Sequence, residues 1–181
     1  SDYGLVASAT VVLGFVSIFG EAGMGYALIQ YQGDIKKAAN VIFGANFILN
    51  FILYLIIFFS ASSIANLFSD PQLENVVKVQ ALLLIFNSFS SVQLALIKKE
   101  LEFKKLFLNR IVALVVPFFI TIPLAYLGFK VWALVIGVLT GSLIQILTLY
   151  FQNRWTPKFE FDLSILKKLF TRSICITREG L

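Results

Sequence analysis

One carboxylate of the 181-residue chain is set between apolar runs: Glu21, in FVSIFGEAGMGYALIQ. Gly14, Gly20, Gly23 and Gly25 surround it, enough glycine to break or bend a helix and expose backbone polar groups. Gly14, Ser17 and Glu21 fall at i, i+3 and i+7, on one face of small residues. Glu21 either lines a cavity and carries a proton or charge, or it ends a helix where the chain meets lipid headgroups. Amides and hydroxyls form three further rows. Asn46 and Asn50 stand at i, i+4; Gln80, Asn87 and Ser91 at i, i+7, i+11; and Gly141 aligns with Gln145 and Thr148. Gly137 and Gly141 form a GxxxG. Such rows bond neighbouring helices, each bond worth about 1–2 kcal/mol or less, with glycine allowing close packing. Alternatively, three of them make the wall of a hydrophilic cavity. Glu21, Asn46, Asn50, Asn87, Ser91, Gln145 and the cationic Arg110 are the candidate cavity residues.

Other chemistry is absent from the chain. It has no His, hence no imidazole metal site, no His general base and no Ser-His-Asp triad. Cys175 is the single cysteine, which excludes an intramolecular disulfide or a thiolate cluster. Neither common Gly-rich phosphate loop is present. The residues call for no catalytic role, no metal and no cofactor.

The elements that must position these residues are helices in lipid. Hydrophobic residues make up 59% of the chain and charged residues 14%, against under half and about a quarter in a soluble domain; the mean hydropathy is +0.87. Residues 3–20, 38–69, 79–97, 111–129 and 131–153 contain no Asp, Glu, Lys or Arg, and together hold 111 residues. About 20 apolar residues cross the hydrocarbon core as a helix. Strands of a barrel would alternate in polarity, whereas these runs are continuous. The expected fold is an all-α polytopic membrane bundle with spans at about 3–20, 41–68, 76–97, 110–128 and 131–151. The first span has a possible continuation over 22–31, and the long second run reads as one helix with interfacial ends at Ser60, Ser62, Ser63 and Asn66. No basic region precedes the first span, so it does not read as a secretory signal.

Charge orients the bundle. Thirteen of the fifteen basic residues fall in the segments 36–37, 98–110 and 154–178, and only Lys78 and Lys130 fall at the other end. The positive-inside rule places the thirteen in the cytoplasm, and the same rule accounts for the +5 charge without nucleic acid as a partner. The segment KKELEFKKLFLN pairs Glu100 with Lys104 at i, i+4 and reads as a cytoplasmic interfacial helix drawn to anionic lipid. Pro117 and Pro123 are expected to kink the fourth span, either to bend during transport or as plain structural kinks. Both ends of the chain look cut, as in a piece of a longer protein.

YGLVASATVVLGFVSIFGEAGMGYALIQ, SDPQL, ALIKKELEFKKL, LGFKVWALVIG and RWTPKF occur in that order. Together they resemble the bacterial polysaccharide biosynthesis and export proteins, the O-antigen flippase group, within the superfamily of multidrug and toxin extrusion transporters. The resemblance covers about residues 2–170. It implies helices two to six of the N-terminal lobe of a two-lobe transporter with a central cavity, and TRSICITREGL departs from the pattern as a divergent or truncated tail (171–181). It further implies a multi-pass protein of the bacterial inner membrane that flips lipid-linked oligosaccharide, a polyprenyl diphosphate sugar, for O-antigen, capsule or exopolysaccharide synthesis. Membrane lipids and polysaccharide assembly proteins are the implied partners. Cations are then expected at the diphosphate, with Arg110 and Lys78 nearest.

Rival readings remain open. A drug or cation antiporter of the same superfamily would want a deep acidic residue, and only Glu21 offers itself. A membrane-embedded glycosyltransferase would need catalytic carboxylates on an outer loop, and the outer loops are a few residues long. A non-transporting membrane fragment is the remaining alternative.

Overall fold

The computed structural model describes residues 33–68, 70–153 and 155–158, with positions 11, 14, 25, 28, 29 and 31 before them. The expected first span apart from positions 11 and 14, Glu21 and the 171–181 tail lie outside the described residues. Five helices follow one another: α1 (Ile35–Leu67), α2 (Gln72–Gln80), α3 (Leu82–Lys99), α4 (Phe103–Tyr126) and α5 (Val131–Gln152). No strand occurs among the described residues. Taking α2 and α3 together, four spans are long and apolar enough to cross a membrane.

Helix α1 is a single 33-residue element, about 50 Å long at 1.5 Å per residue, well beyond the hydrocarbon thickness of about 30 Å. It starts six residues before the expected span because hydropathy marks only the part in lipid, whereas a cap marks the start of the helix. The Asp34 carboxylate accepts from the backbone amides of Lys36 (3.1 Å) and Lys37 (3.2 Å), satisfying two of the orphan donors of the first turn. The third expected span is two helices. Asp70 accepts from the Gln72 amide at 3.0 Å and Pro71 enters the first turn, where its missing N–H costs nothing. The break between α2 and α3 comes at Ala81.

The expected interfacial helix over KKELEFKKLFLN does not form. Helix α3 stops at Lys99, and Leu101 adopts the left-handed region at φ +56°. The Glu102 amide donates to Ile97 O and the Leu101 amide to Lys98 O, both at 3.2 Å. These are the two bonds of a Schellman motif, and they close the helix before Glu100 can face Lys104. Glu102 instead pairs with Lys105 in the first turn of α4. The same motif closes α4: Gly128 has φ +85°, and the Gly128 and Phe129 amides donate to Ala125 O and Leu124 O at 3.1 Å. Both hairpins are therefore tight.

Helix α1 packs on α2 and α3; α3 packs on α5; α5 carries α4 on its other side. Two apolar clusters hold the ends. At the basic end, Ala38, Ala39, Ile42 and Phe43 of α1 meet Val92, Ala95 and Leu96 of α3. At the opposite end, Ile57, Ala61 and Ala65 of α1 meet Leu73, Val76 and Val77 of α2, with Val131 and Val135 of α5. Helix α4 buries only Asn109, so its Phe118 and Phe119 faces are left for lipid or another part of the protein. Its contact with α5 is made by the GxxxG. A Cβ on Gly141 would lie 2.9 Å from Pro117 Cδ, and one on Gly137 would run into Thr121 Oγ1 and stand 3.2 Å from Pro117 O. Pro117 and Pro123 lie inside an uninterrupted α4.

Candidate functional site

Between the two apolar clusters a polar seam joins α1 to α3. Asn46 Nδ2 donates to Ser91 Oγ at 2.7 Å. Asn50 Nδ2 donates to Asn46 O at 2.9 Å and Oδ1 at 3.1 Å. Ser91 Oγ passes on to Ser88 O (3.4 Å), and Ser88 Oγ to Ile85 O (2.6 Å). Asn46 and Asn50 are each only 3% exposed, and Asn50 lies about 22 Å along the helix axis from Ile35 by the 1.5 Å rise, near mid-depth. In an apolar surrounding an unpaired carboxamide costs several kcal/mol. The spacing of four residues on α1 is what lets Asn50 satisfy Asn46 while Asn46 crosses to α3.

The structure thus brings together three of the candidate cavity residues, Asn46, Asn50 and Ser91, in one chain of hydrogen bonds. It does not draw Asn87, Gln145 or Arg110 into that chain. Asn87 and Gln145 are half-buried on α3 and α5, and Arg110 is exposed near the start of α4. Arg110 makes no ion pair among the described residues. Lys78 is committed elsewhere: its Nζ lies 2.6 Å from Glu74 Oε1 and 5.2 Å above the Phe58 ring. Gln80 ends α2 while Asn87 and Ser91 stand on α3, with Ala81, itself in helical conformation, between them.

Buried polar groups also lie outside the candidate set. Asn109 is 1% exposed, and its Oδ1 has no hydrogen-bond partner among the described residues; the same holds for Gln93 Oε1 and Gln80 Oε1. Gln93 is eight residues before Leu101 and Asn109 eight after it, so the tight hairpin sets them at similar depth. Asn109 sits next to Arg110, which made it look like loop. Lys99 is the other surprise. Its Nζ donates to Leu28 O (3.1 Å), Ile29 O (2.8 Å) and Tyr31 O, so one ammonium satisfies three carbonyls about 70 residues away. Nothing in the spacing of the chain announces such a pairing.

Two cavities lined by described residues flank the bundle. One of about 420 Å³ opens at the end opposite the basic one, lined by Gln72, Asn75, Lys130 and Trp132 among others. The other, of about 490 Å³, opens at the basic end beside the start of α1. Neither includes any of the candidate cavity residues.

A mid-depth polar seam, apolar spanning helices and a basic end describe a multi-pass membrane protein, and the comparisons with known proteins agree. The succinoglycan biosynthesis transport protein ExoT of Rhizobium meliloti (strain 1021) is 26% identical over 162 residues, covering 90% of this chain and 33% of that protein. The teichuronic acid biosynthesis protein TuaB of Bacillus subtilis (strain 168) is 24% identical over 165 residues, covering 87% of this chain and 33% of that protein. The chain thus spans about a third of the length of the curated relatives it matches. No solved structure matches it. A family profile described as "Polysaccharide biosynthesis protein" matches residues 1–181, and the chain belongs to that family.

Proposed function

We propose that the chain forms part of an inner-membrane transporter that moves a lipid-linked oligosaccharide from the cytoplasmic to the outer leaflet. The observation that supports this most is the match of the whole chain to a polysaccharide biosynthesis family, with a relative named for succinoglycan transport. The physics is in keeping with it. A sugar–diphosphate head loses its hydration in hydrocarbon and cannot cross unaided. A cavity between two lobes shelters the head while the polyprenyl tail stays in lipid, and rocking of the lobes exposes it to each side in turn. In this reading the Asn46–Asn50–Ser91 seam stiffens the wall between α1 and α3. Asn87, Gln145 and Arg110, which makes no ion pair among the described residues, are the groups left to face substrate, Arg110 meeting the diphosphate.

Deletion of the gene in a strain that makes the matching polysaccharide tests the proposal. The expected result is loss of surface polysaccharide with lipid-linked oligosaccharide accumulating in the inner membrane. Unchanged surface polysaccharide, or loss without that intermediate, would sink it. Arg110→Gln, at normal membrane levels, is expected to lower export more than Lys104→Gln does. Glu21→Gln separates the antiporter rival, which needs that carboxylate for coupling, from a flippase that tolerates its loss.

A further inference from the structure

The cavity at the start of α1 is assembled from two segments far apart in the chain. Asp34, Lys36, Lys37 and Asn40 line it from the α1 side, and Trp155, Thr156 and Lys158 from the segment after α5. The Lys158 backbone amide donates to Asn40 Oδ1 at 3.4 Å, which ties the two sides together. Trp155 meets Phe43 edge-on with centroids 6.1 Å apart, fixing the indole against the basic-end cluster.

From these residues we infer that the cavity is a binding site for the phosphate headgroup of an anionic lipid. Lys36 and Lys158 bring two positive charges to its rim against the one negative charge of Asp34. The Asp34 carboxylate is already occupied by the Lys36 and Lys37 amides, so the helix terminus itself is capped and the anion is left to the side chains. Asn40 supplies the fixed donor. It is only 6% exposed, it lines the cavity, and among the described residues nothing accepts from its Nδ2. That amide donor faces the basic cavity and is free to bond an anionic oxygen there. An indole beside lysines, at the edge of a spanning helix, suits an amphiphile rather than a free ion: tryptophan sits at headgroup level, and basic pockets between helices at this face hold anionic headgroups. The inference stands apart from the transport reading, since it needs only the basic end of the bundle.

The chain holds two tryptophans, and Trp132 lies at the opposite end, so in a Trp132→Phe background Trp155 reports on the site alone. The full chain is placed in vesicles of fixed phosphatidylglycerol and phosphatidylcholine content, with bromine carried by one lipid or the other. Bromine on phosphatidylglycerol is expected to quench Trp155 more strongly, and Lys36→Gln or Lys158→Gln to weaken that preference about fivefold each. Lys98→Gln with Lys104→Gln, on the same side but off the cavity, is expected to leave it unchanged. Equal quenching by the two lipids would overturn the inference, as would a preference that follows Lys98 and Lys104 instead. Displacement by millimolar inorganic pyrophosphate would overturn the lipid assignment and show a site for free phosphate.

Discussion

At the scale of single residues, the chain satisfies its buried polar groups by crossing between helices. The Asn46 carboxamide is bonded on both sides, from Asn50 and to Ser91. Asn46→Leu leaves Ser91 and Asn50 without those partners and is expected to lower stability in detergent by about 1–2 kcal/mol. Adding Ser91→Ala should recover part of the loss, because the orphaned hydroxyl is then gone; additive losses in an unfolding titration would show that the two side chains are not coupled. Lys99 is used differently. Its ammonium serves three carbonyls at once, so Lys99→Met, which keeps the length but removes every donor, is expected to cost more than Lys98→Met at the neighbouring exposed position. Thermal unfolding of the two variants side by side checks this, and equal midpoints would contradict it.

At the scale of elements, two hairpins of the same kind differ in one residue. The turn after α4 places Gly128 at φ +85°, and the turn after α3 places Leu101 at φ +56°. A side chain in the left-handed region costs about 1–2 kcal/mol, so Leu101→Gly is expected to stabilise the protein by about 1 kcal/mol. Leu101 is well exposed, and little packing is lost to offset the gain. Gly128→Ala meets no atom within 4 Å but takes on the backbone strain, and should destabilise by about 1 kcal/mol. Opposite signs in the same unfolding assay are the expected outcome; a loss from Leu101→Gly would show that its side chain contributes more than its backbone costs. The α4–α5 contact is sensitive for a steric reason instead. Gly141→Ala brings a Cβ against the rigid Pro117 ring, and overpacking of this kind costs about 1–3 kcal/mol. Gly128→Ala strains a turn; Gly141→Ala pries two helices apart.

For the whole molecule, the distribution of charge sets the orientation to be tested. Reporter fusions at Gln72 and Glu102 are expected to show opposite sides of the membrane, with Glu102 in the cytoplasm, since the basic residues gather at that end. Periplasmic reporter activity at Glu102 would reverse the topology. The exposed aromatic face of α4, with Phe118 63% and Phe119 70% exposed, places this helix at the rim of the described bundle. The chain covers about a third of its relatives' length, and the two-lobe reading expects the 181 residues alone to insert without transporting. Complementation by this chain beside a full-length parent measures that, and restored surface polysaccharide from the chain alone would refute it.

Amino-acid order alone was enough for the membrane class, the four apolar spans among the described residues and the family, because an uncharged run of about 20 residues has few physical alternatives in lipid. It was also enough to find Asn46, Asn50 and Ser91, since each departs from its apolar surroundings. What those residues bond to was decided only by tertiary structure: their spacing was compatible with a cavity wall or with bonds between helices, and the packing of α1 on α3 brought Asn46 to Ser91. The Ala81 break and the Schellman turn at Leu101 were likewise hidden, because both rest on backbone bonds that no residue type there demands. Lys99 and Asn40 were the least legible. Their partners lie about 70 and 118 residues away, and only the folded chain brings a carbonyl or an amide to a side chain over such a distance.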